Sequence, residues 1–237
     1  MKPTILSLAN IQKRFGSTLA VANVSFDLVK GEKLGIIGPN GSGKTTLINC
    51  LTGVLKPDAG TILFEDKDIT TMPAHRRARL GIVRSFQIPR PFVGISVLEN
   101  VLVPLDYVHH HAHKREQAFA FLDMVGLTAR ANHLAETLSQ LELRMLELAR
   151  ALASNPQLLI VDEVMAGLTE AEIDEVMKIL MKLSDQDVTV VMIEHIMHAI
   201  MQFSKRLICI ETGKIIADGT PSQVAENPEV RRVYFGQ

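Results

Sequence analysis

Short apolar runs alternate with longer stretches of helical periodicity along this chain. Residues 4–15, 24–29 and 60–65 carry apolar positions in short alternating or clustered pieces bounded by turn residues, which predicts strands of an N-terminal β layer. Residues 33–37 (KLGII) read as a buried strand that runs into a glycine-rich turn, followed by a helix from about Lys44 to Leu51. A further strand is predicted over 82–86, ending at Phe86-Gln87.

The stretch 88–156 has a different character. It opens on IPRPF, whose two prolines impose an extended path. Helices are predicted near 96–103, 113–125 and 139–153; in the last, Leu141, Met145, Leu148, Ala149 and Leu152 share one face. Strands return at 157–161 and 188–193, on either side of a helix from about Glu170 to Leu183. Thr169 and Glu172 have the capping-box spacing that starts such a helix. Strands at 206–210 and 214–217 flank a Glu-Thr-Gly turn. The order predicts an α/β fold with a core over 1–87 and 157–237 and a mainly helical insertion over 88–156.

Composition narrows the function. A chain of 237 residues is one large domain or two small ones, and 47% apolar with 22% charged residues argues against disorder. The 25 basic and 26 acidic residues leave a net charge of −1, so a nucleic-acid partner is not expected. Cys50 and Cys209 are too few for a disulfide scaffold and lie in no metal-ligand spacing, which fits a reducing compartment. The longest apolar runs, 158–161 and 188–193, are strand-sized, and polar residues interrupt the first 16 positions. These features predict a soluble, cytoplasmic protein that can still serve a membrane partner.

The chemistry starts at residues 38–45. Gly38-Pro39-Asn40-Gly41-Ser42-Gly43-Lys44-Thr45 matches G-x-x-x-x-G-K-[ST], for which a chance match in a chain this long is roughly 1 in 100. Glycines let the loop curl its N–H groups toward phosphate oxygens, and the following helix adds its positive end. Lys44 is placed to reach the β- and γ-phosphates, and Thr45 to offer a hydroxyl to Mg2+. Leu-Leu-Ile-Val-Asp-Glu (158–163) then sets two carboxylates at the end of a buried strand. Asp162 is suited to hold Mg2+ and Glu163 to orient the attacking water.

With these motifs in this order, the chain resembles the ATPase subunit of an ABC transporter. The resemblance spans essentially the whole chain. It implies a RecA-like P-loop NTPase core, an N-terminal antiparallel β layer and an inserted helical subdomain, with ATP and Mg2+ as cofactors. Gln87 in SFQ is similar to the family's Q-loop glutamine, which senses Mg2+ and the attacking water. His195 in MIEHIM matches the switch histidine at the γ-phosphate. Phe15 in KRFG takes the place of the aromatic residue stacked on adenine, and Thr46 follows the phosphate loop. The segments 85–101, 158–176, 190–197 and 216–236 resemble the ATPases of branched-chain amino-acid importers. Lipopolysaccharide-export ATPases share part of this pattern.

One motif departs from the family. Its Leu-Ser-Gly-Gly-Gln signature is here Leu138-Ser139-Gln140-Leu141-Glu142. Ser139 survives and both glycines are gone, although RMLELARAL (144–152) still fits. In the family this segment meets the γ-phosphate held by the other subunit of a dimer. Val164 also replaces the proline that usually follows the catalytic glutamate. His109, His110, His111 and His113 form a separate cluster, read as a solvated loop rather than a metal site.

The resemblance implies a peripheral subunit on the cytoplasmic face of the membrane. Its partners would be transmembrane permease subunits and a second ABC ATPase, in a heterodimer rather than a homodimer. A non-transport ABC ATPase, a lipopolysaccharide-export-type ATPase and a low-turnover regulatory nucleotide-binding subunit remain the rival readings.

Overall fold

The computed structural model describes residues 2–85, 89–108, 113–184 and 187–235. The expectations for Phe86, Gln87, Ile88 and His109–His111 lie outside these residues. The N-terminal layer is an antiparallel sheet of β1 (Thr4–Phe15), β2 (Thr18–Val29), β4 (Ala59–Phe64) and β5 (Lys67–Asp68), in the order β2-β1-β4-β5. β2 starts six residues before the expected strand, because Thr18 already pairs with Phe15 across a tight turn.

The second sheet has six strands, in the order β10-β9-β3-β8-β7-β6. They are β3 (Lys33–Ile37), β6 (Ile82–Ser85), β7 (Leu158–Asp162), β8 (Thr189–Ile193), β9 (Arg206–Glu211) and β10 (Lys214–Gly219). All neighbours are parallel except β9 and β10. Its central strands are continuous apolar runs because both faces are covered. Leu34, Ile36, Ile160, Val191 and Ile208 pack toward the antiparallel layer and α1 (Lys44–Thr52). Ile37, Leu159, Val161, Met192 and Cys209 pack toward the other helices.

Three helices follow β6 and precede β7: α3 (Val97–Val108), α4 (Lys114–Met124) and α5 (Gln140–Ala153). α3 runs through Pro104, past the expected end at 103. α6 (Glu170–Ser184) opens on the expected capping box, with the Thr169 N–H donating to Glu172 Oε2 at 2.7 Å.

Four short helices were not expected from periodicity: α2 (Ala74–Arg79), α7 (Met197–Phe203), α8 (Pro221–Glu226) and α9 (Pro228–Phe235). Each has six to eight residues, too few for an apolar stripe to repeat. Their signals are local instead: Thr220 and Gln223 form a reciprocal capping box with Pro221 at the first turn. No helix among the described residues is long and apolar enough to cross a membrane.

Candidate nucleotide site

β3, β8 and β7 are adjacent and parallel, so their C-terminal ends deliver three segments to one edge of the sheet. The loop after β3 is Gly38–Gly43, and it leads directly into α1. Gly43 caps that helix with φ +105°, and a Cβ on it would lie 2.2 Å from the Ala20 carbonyl oxygen. Only glycine fits both the backbone angle and the space. Lys44 is buried, and its Nζ donates to the carbonyls of Gly38 at 2.6 Å and Pro39 at 3.1 Å. Burial lowers its pKa, while the carboxylates of Glu163 and Asp162 pull the other way.

A cavity of about 160 Å3 opens on this loop. Ala20, Asn40, Gly41, Ser42, Gly43, Lys44, Thr45, Thr46 and Glu163 line it. Ser42 Oγ is buried without a hydrogen-bond partner among the described residues, which is costly unless a ligand supplies one. A glycine cradle, a buried cation and an orphaned hydroxyl at a helix N-terminus fit the phosphate end of a nucleotide.

The paired acids follow β7. Asp162 is buried, and Arg84 on β6 forms an ion pair with its Oδ2. Arg84 also donates to Asn49 Oδ1 on α1 at 2.7 Å. The guanidinium therefore bridges the acid strand to the phosphate-loop helix. Glu163 has φ +50°, a left-handed conformation that costs a non-glycine residue about 1–3 kcal/mol. Its N–H donates to the Ile193 carbonyl at 2.9 Å. Its Oε1 lies 3.1 Å from His195 Nε2, so the acid after β7 and the histidine after β8 meet directly.

Glu194, next to His195 in the chain, is buried, with Oε1 accepting the Met165 N–H at 3.0 Å. Burial pushes its carboxyl up to about 7, and nearby Glu163 adds to the rise.

Phe15 and Ser139 are among the expected site residues that stand outside the cavity lining. Phe15 is half exposed at the end of β1, with Lys13 Nζ 5.8 Å from its ring centroid. That leaves an aromatic face open to solvent instead of packed in the core. Ser139 is the N-cap of α5. Its hydroxyl accepts the Glu142 N–H at 3.2 Å, and Glu142 Oε2 accepts the Ser139 N–H at 2.8 Å. Arg130 Nε pairs with Glu142 Oε1 at 2.8 Å, so that acidic residue is neutralised within the chain. Leu141 is partly buried and packs on the main core, whereas Gln140 is exposed and its Nε2 lies beside Gly167.

Gln87 lies outside the described residues. His113 is exposed and faces Glu116 at 3.5 Å. Among the described residues no group of three or more His, Cys, Asp or Glu gathers as for a metal. Sequence reading missed Arg84, Ala20 and Glu194. Arg84 and Ala20 belong to no motif, while Glu194 stood unremarked beside His195.

A parallel sheet with a phosphate loop after one strand and paired acids after a near neighbour defines a P-loop ATPase. The chain belongs to the ABC transporter family, which matches residues 21–166, and it is an ATP-binding cassette of that family. A second family, described as the branched-chain amino acid ATP-binding cassette transporter, matches residues 214–237. The high-affinity branched-chain amino acid transport ATP-binding protein LivG of Escherichia coli K12 is 36% identical over the full length of both chains. BraF of Pseudomonas aeruginosa, of the same description, is 38% identical, also over both full lengths. Among solved structures, the ADP conformation of MJ1267, an ATP-binding cassette of an ABC transporter, superposes with a TM-score of 0.90. It is 34% identical, and each chain covers all of the other. The dimeric post-hydrolysis state of the cassette MJ0796, bound to ADP and Pi, is 27% identical with a TM-score of 0.83 over 92% of this chain and 99% of that one.

Proposed function

We propose that this cassette energises a membrane importer of branched-chain amino acids or a similar small polar solute. The supporting observation is the pair of matches to branched-chain amino-acid transport cassettes, one over the whole chain and one confined to its last 24 residues. Uptake of radiolabelled leucine, isoleucine and valine by cells lacking the chain tests this: loss of uptake is expected, and unchanged uptake of all three overturns the solute class.

In this reading residues 38–46 bind the ATP phosphates and Phe15 stacks on adenine. Thr45, Asp162 and Gln87 hold Mg2+, which neutralises phosphate charge when bound. Asp162 would meet the ion while tied to Arg84, so the arginine sets its orientation. Glu163 orients water, and His195 answers to the γ-phosphate. Residues 1–87 and 157–237 act as the catalytic core, and 88–156 as the subdomain that transmits the stroke. Removing the Lys44 ammonium tests the phosphate assignment. A charge-assisted phosphate contact makes Lys44→Ala weaken Mg·ATP binding by at least ~10-fold. Unchanged affinity in a nucleotide titration would sink it.

The permease would dock on the helical side of the core, placing the chain at the cytoplasmic face of the membrane. Phe92 and Val93 are exposed there. Arg150 holds their segment by donating to the Arg90 carbonyl at 2.9 Å and lying 5.0 Å from the Phe92 ring centroid. The second nucleotide-binding subunit is a different ABC ATPase. Gln140 projects from the α5 N-terminus, where the family presents glycine to the partner's phosphate. A homodimer would carry that obstruction twice and a heterodimer once. The isolated chain is therefore expected to hydrolyse ATP slowly. Gln140→Gly with Leu141→Gly should raise its rate per folded molecule. Brisk turnover by the unmodified chain, with no gain from the glycines, argues for a competent homodimer.

A further inference from the structure

The C-terminal helix ends against the first residue of the phosphate loop. Asn227 fixes the start of α9, its Oδ1 accepting the Glu229 N–H at 2.8 Å. Val230 is buried in the main core, and Arg232 pairs with Glu211 at 3.2 Å. Residue 234 lies one helical turn beyond residue 230, on the same face. These anchors bring the partly buried Tyr234 beneath the loop, where its hydroxyl accepts the Gly38 N–H at 2.6 Å.

Gly38 is thereby held at both ends. Its N–H is bound by Tyr234, and its carbonyl receives the Lys44 ammonium at 2.6 Å. Its surroundings leave little slack, since a Cβ on Gly38 would lie 2.1 Å from the Ile210 carbonyl oxygen. Any shift of the Gly38 peptide moves the carbonyl that Lys44 rests on and the amides that follow it.

We propose that Tyr234 is a positioning residue for nucleotide binding, fixing the Gly38 peptide and, through it, the reach of Lys44 and the direction of the loop amides. This rests on the reading of residues 38–45 as the phosphate cradle. It gives the C-terminal segment, 196 positions away in sequence, a part in the ATP site. Burial pushes the phenol up to about 12, so the hydroxyl stays protonated at neutral pH and the contact does not switch there.

Tyr234→Phe keeps the ring and removes only the oxygen. In titrations of the full chain, Mg·ATP and Mg·ADP affinities are expected to weaken about 3- to 10-fold, the range of one internal hydrogen bond. The KM for ATP should rise in step while kcat stays within ~2-fold, and thermal stability should barely change. A residue that only packs would show the opposite split: lower stability after Tyr234→Leu, and unchanged affinity after Tyr234→Phe. That result overturns the proposal. Lys44→Ala in the same titration separates the two claims. Loss of affinity in Lys44→Ala but not in Tyr234→Phe overturns the role of Tyr234 alone. Unchanged affinity in Lys44→Ala overturns the cradle and this proposal with it.

Discussion

Replacing Glu163 by glutamine is expected to cut ATP turnover by about 100-fold or more, the scale of a lost general base, while Mg·ATP binding persists. The substitution keeps the shape of the side chain. The backbone that aims it is set elsewhere, by the left-handed turn at Glu163 and by the bond from its N–H to Ile193. A glutamine at that position can still meet His195 Nε2, 3.1 Å from the present carboxylate oxygen. What it cannot do is carry negative charge or take a proton from water. Binding and hydrolysis should therefore separate, and an ATP-bound dimer should accumulate. The measurement is steady-state ATPase of the assembled complex beside nucleotide affinity of the same preparation. Turnover within ~2-fold of the unmodified protein would remove Glu163 from the catalytic role.

The site was legible where its chemistry is written in consecutive residues. The phosphate loop and the acidic pair each occupy one strand end, and the short apolar run before each marked that end. The link between Arg84 and Asp162 was not legible. The two residues are 78 positions apart and meet only because β6 pairs in register with β7. The same holds for Tyr234, which reaches Gly38 through the folding back of α9.

The altered signature has two side chains, Gln140 and Leu141, where the family has glycines. The structure separates them: Leu141 turns toward the core and Gln140 stands outside. Glu142 is engaged within the chain. Its charge serves the helix cap and Arg130, contacts that spacing can suggest for the cap but not for an arginine 12 residues upstream. Helices α4, α5 and α6 lie within one residue of their expected bounds, whereas α3 and β2 run longer. The short helices were missed because six to eight residues are held by caps and buried anchors rather than by a repeating stripe.

One of those missed helices carries the largest expected effect on stability. α2 has no apolar face, and its anchor is Arg77, which is 1% exposed. The guanidinium donates to the carbonyls of Cys50 and Leu51 at 2.8 and 2.6 Å, in the last turn of α1. It also donates to Met72 at 2.8 Å and Thr70 at 3.1 Å. It thus adds donors at the C-terminal end of α1, where the Cys50 carbonyl also accepts the Gly53 N–H at 3.3 Å. Burial lowers its pKa to about 10, still far enough above neutral that it stays charged. Arg77→Met keeps length and bulk but leaves four carbonyls without this donor. A buried carbonyl left without a donor costs about 1–3 kcal/mol, so losing the donor to four of them, partly replaced by water, is expected to cost about 3–5 kcal/mol. For a chain of this size that lowers Tm by about 10 °C. Arg77→Lys should recover only part of the loss, because one ammonium cannot span carbonyls that a planar fork reaches from several nitrogens. Mg·ATP should raise the Tm of both variants, since it binds the folded chain. The check is thermal unfolding of the three proteins with and without nucleotide. A Tm for Arg77→Met within ~2 °C of the unmodified chain, less than 1 kcal/mol on this scale, would show that water satisfies those carbonyls and that α1 does not depend on the cap.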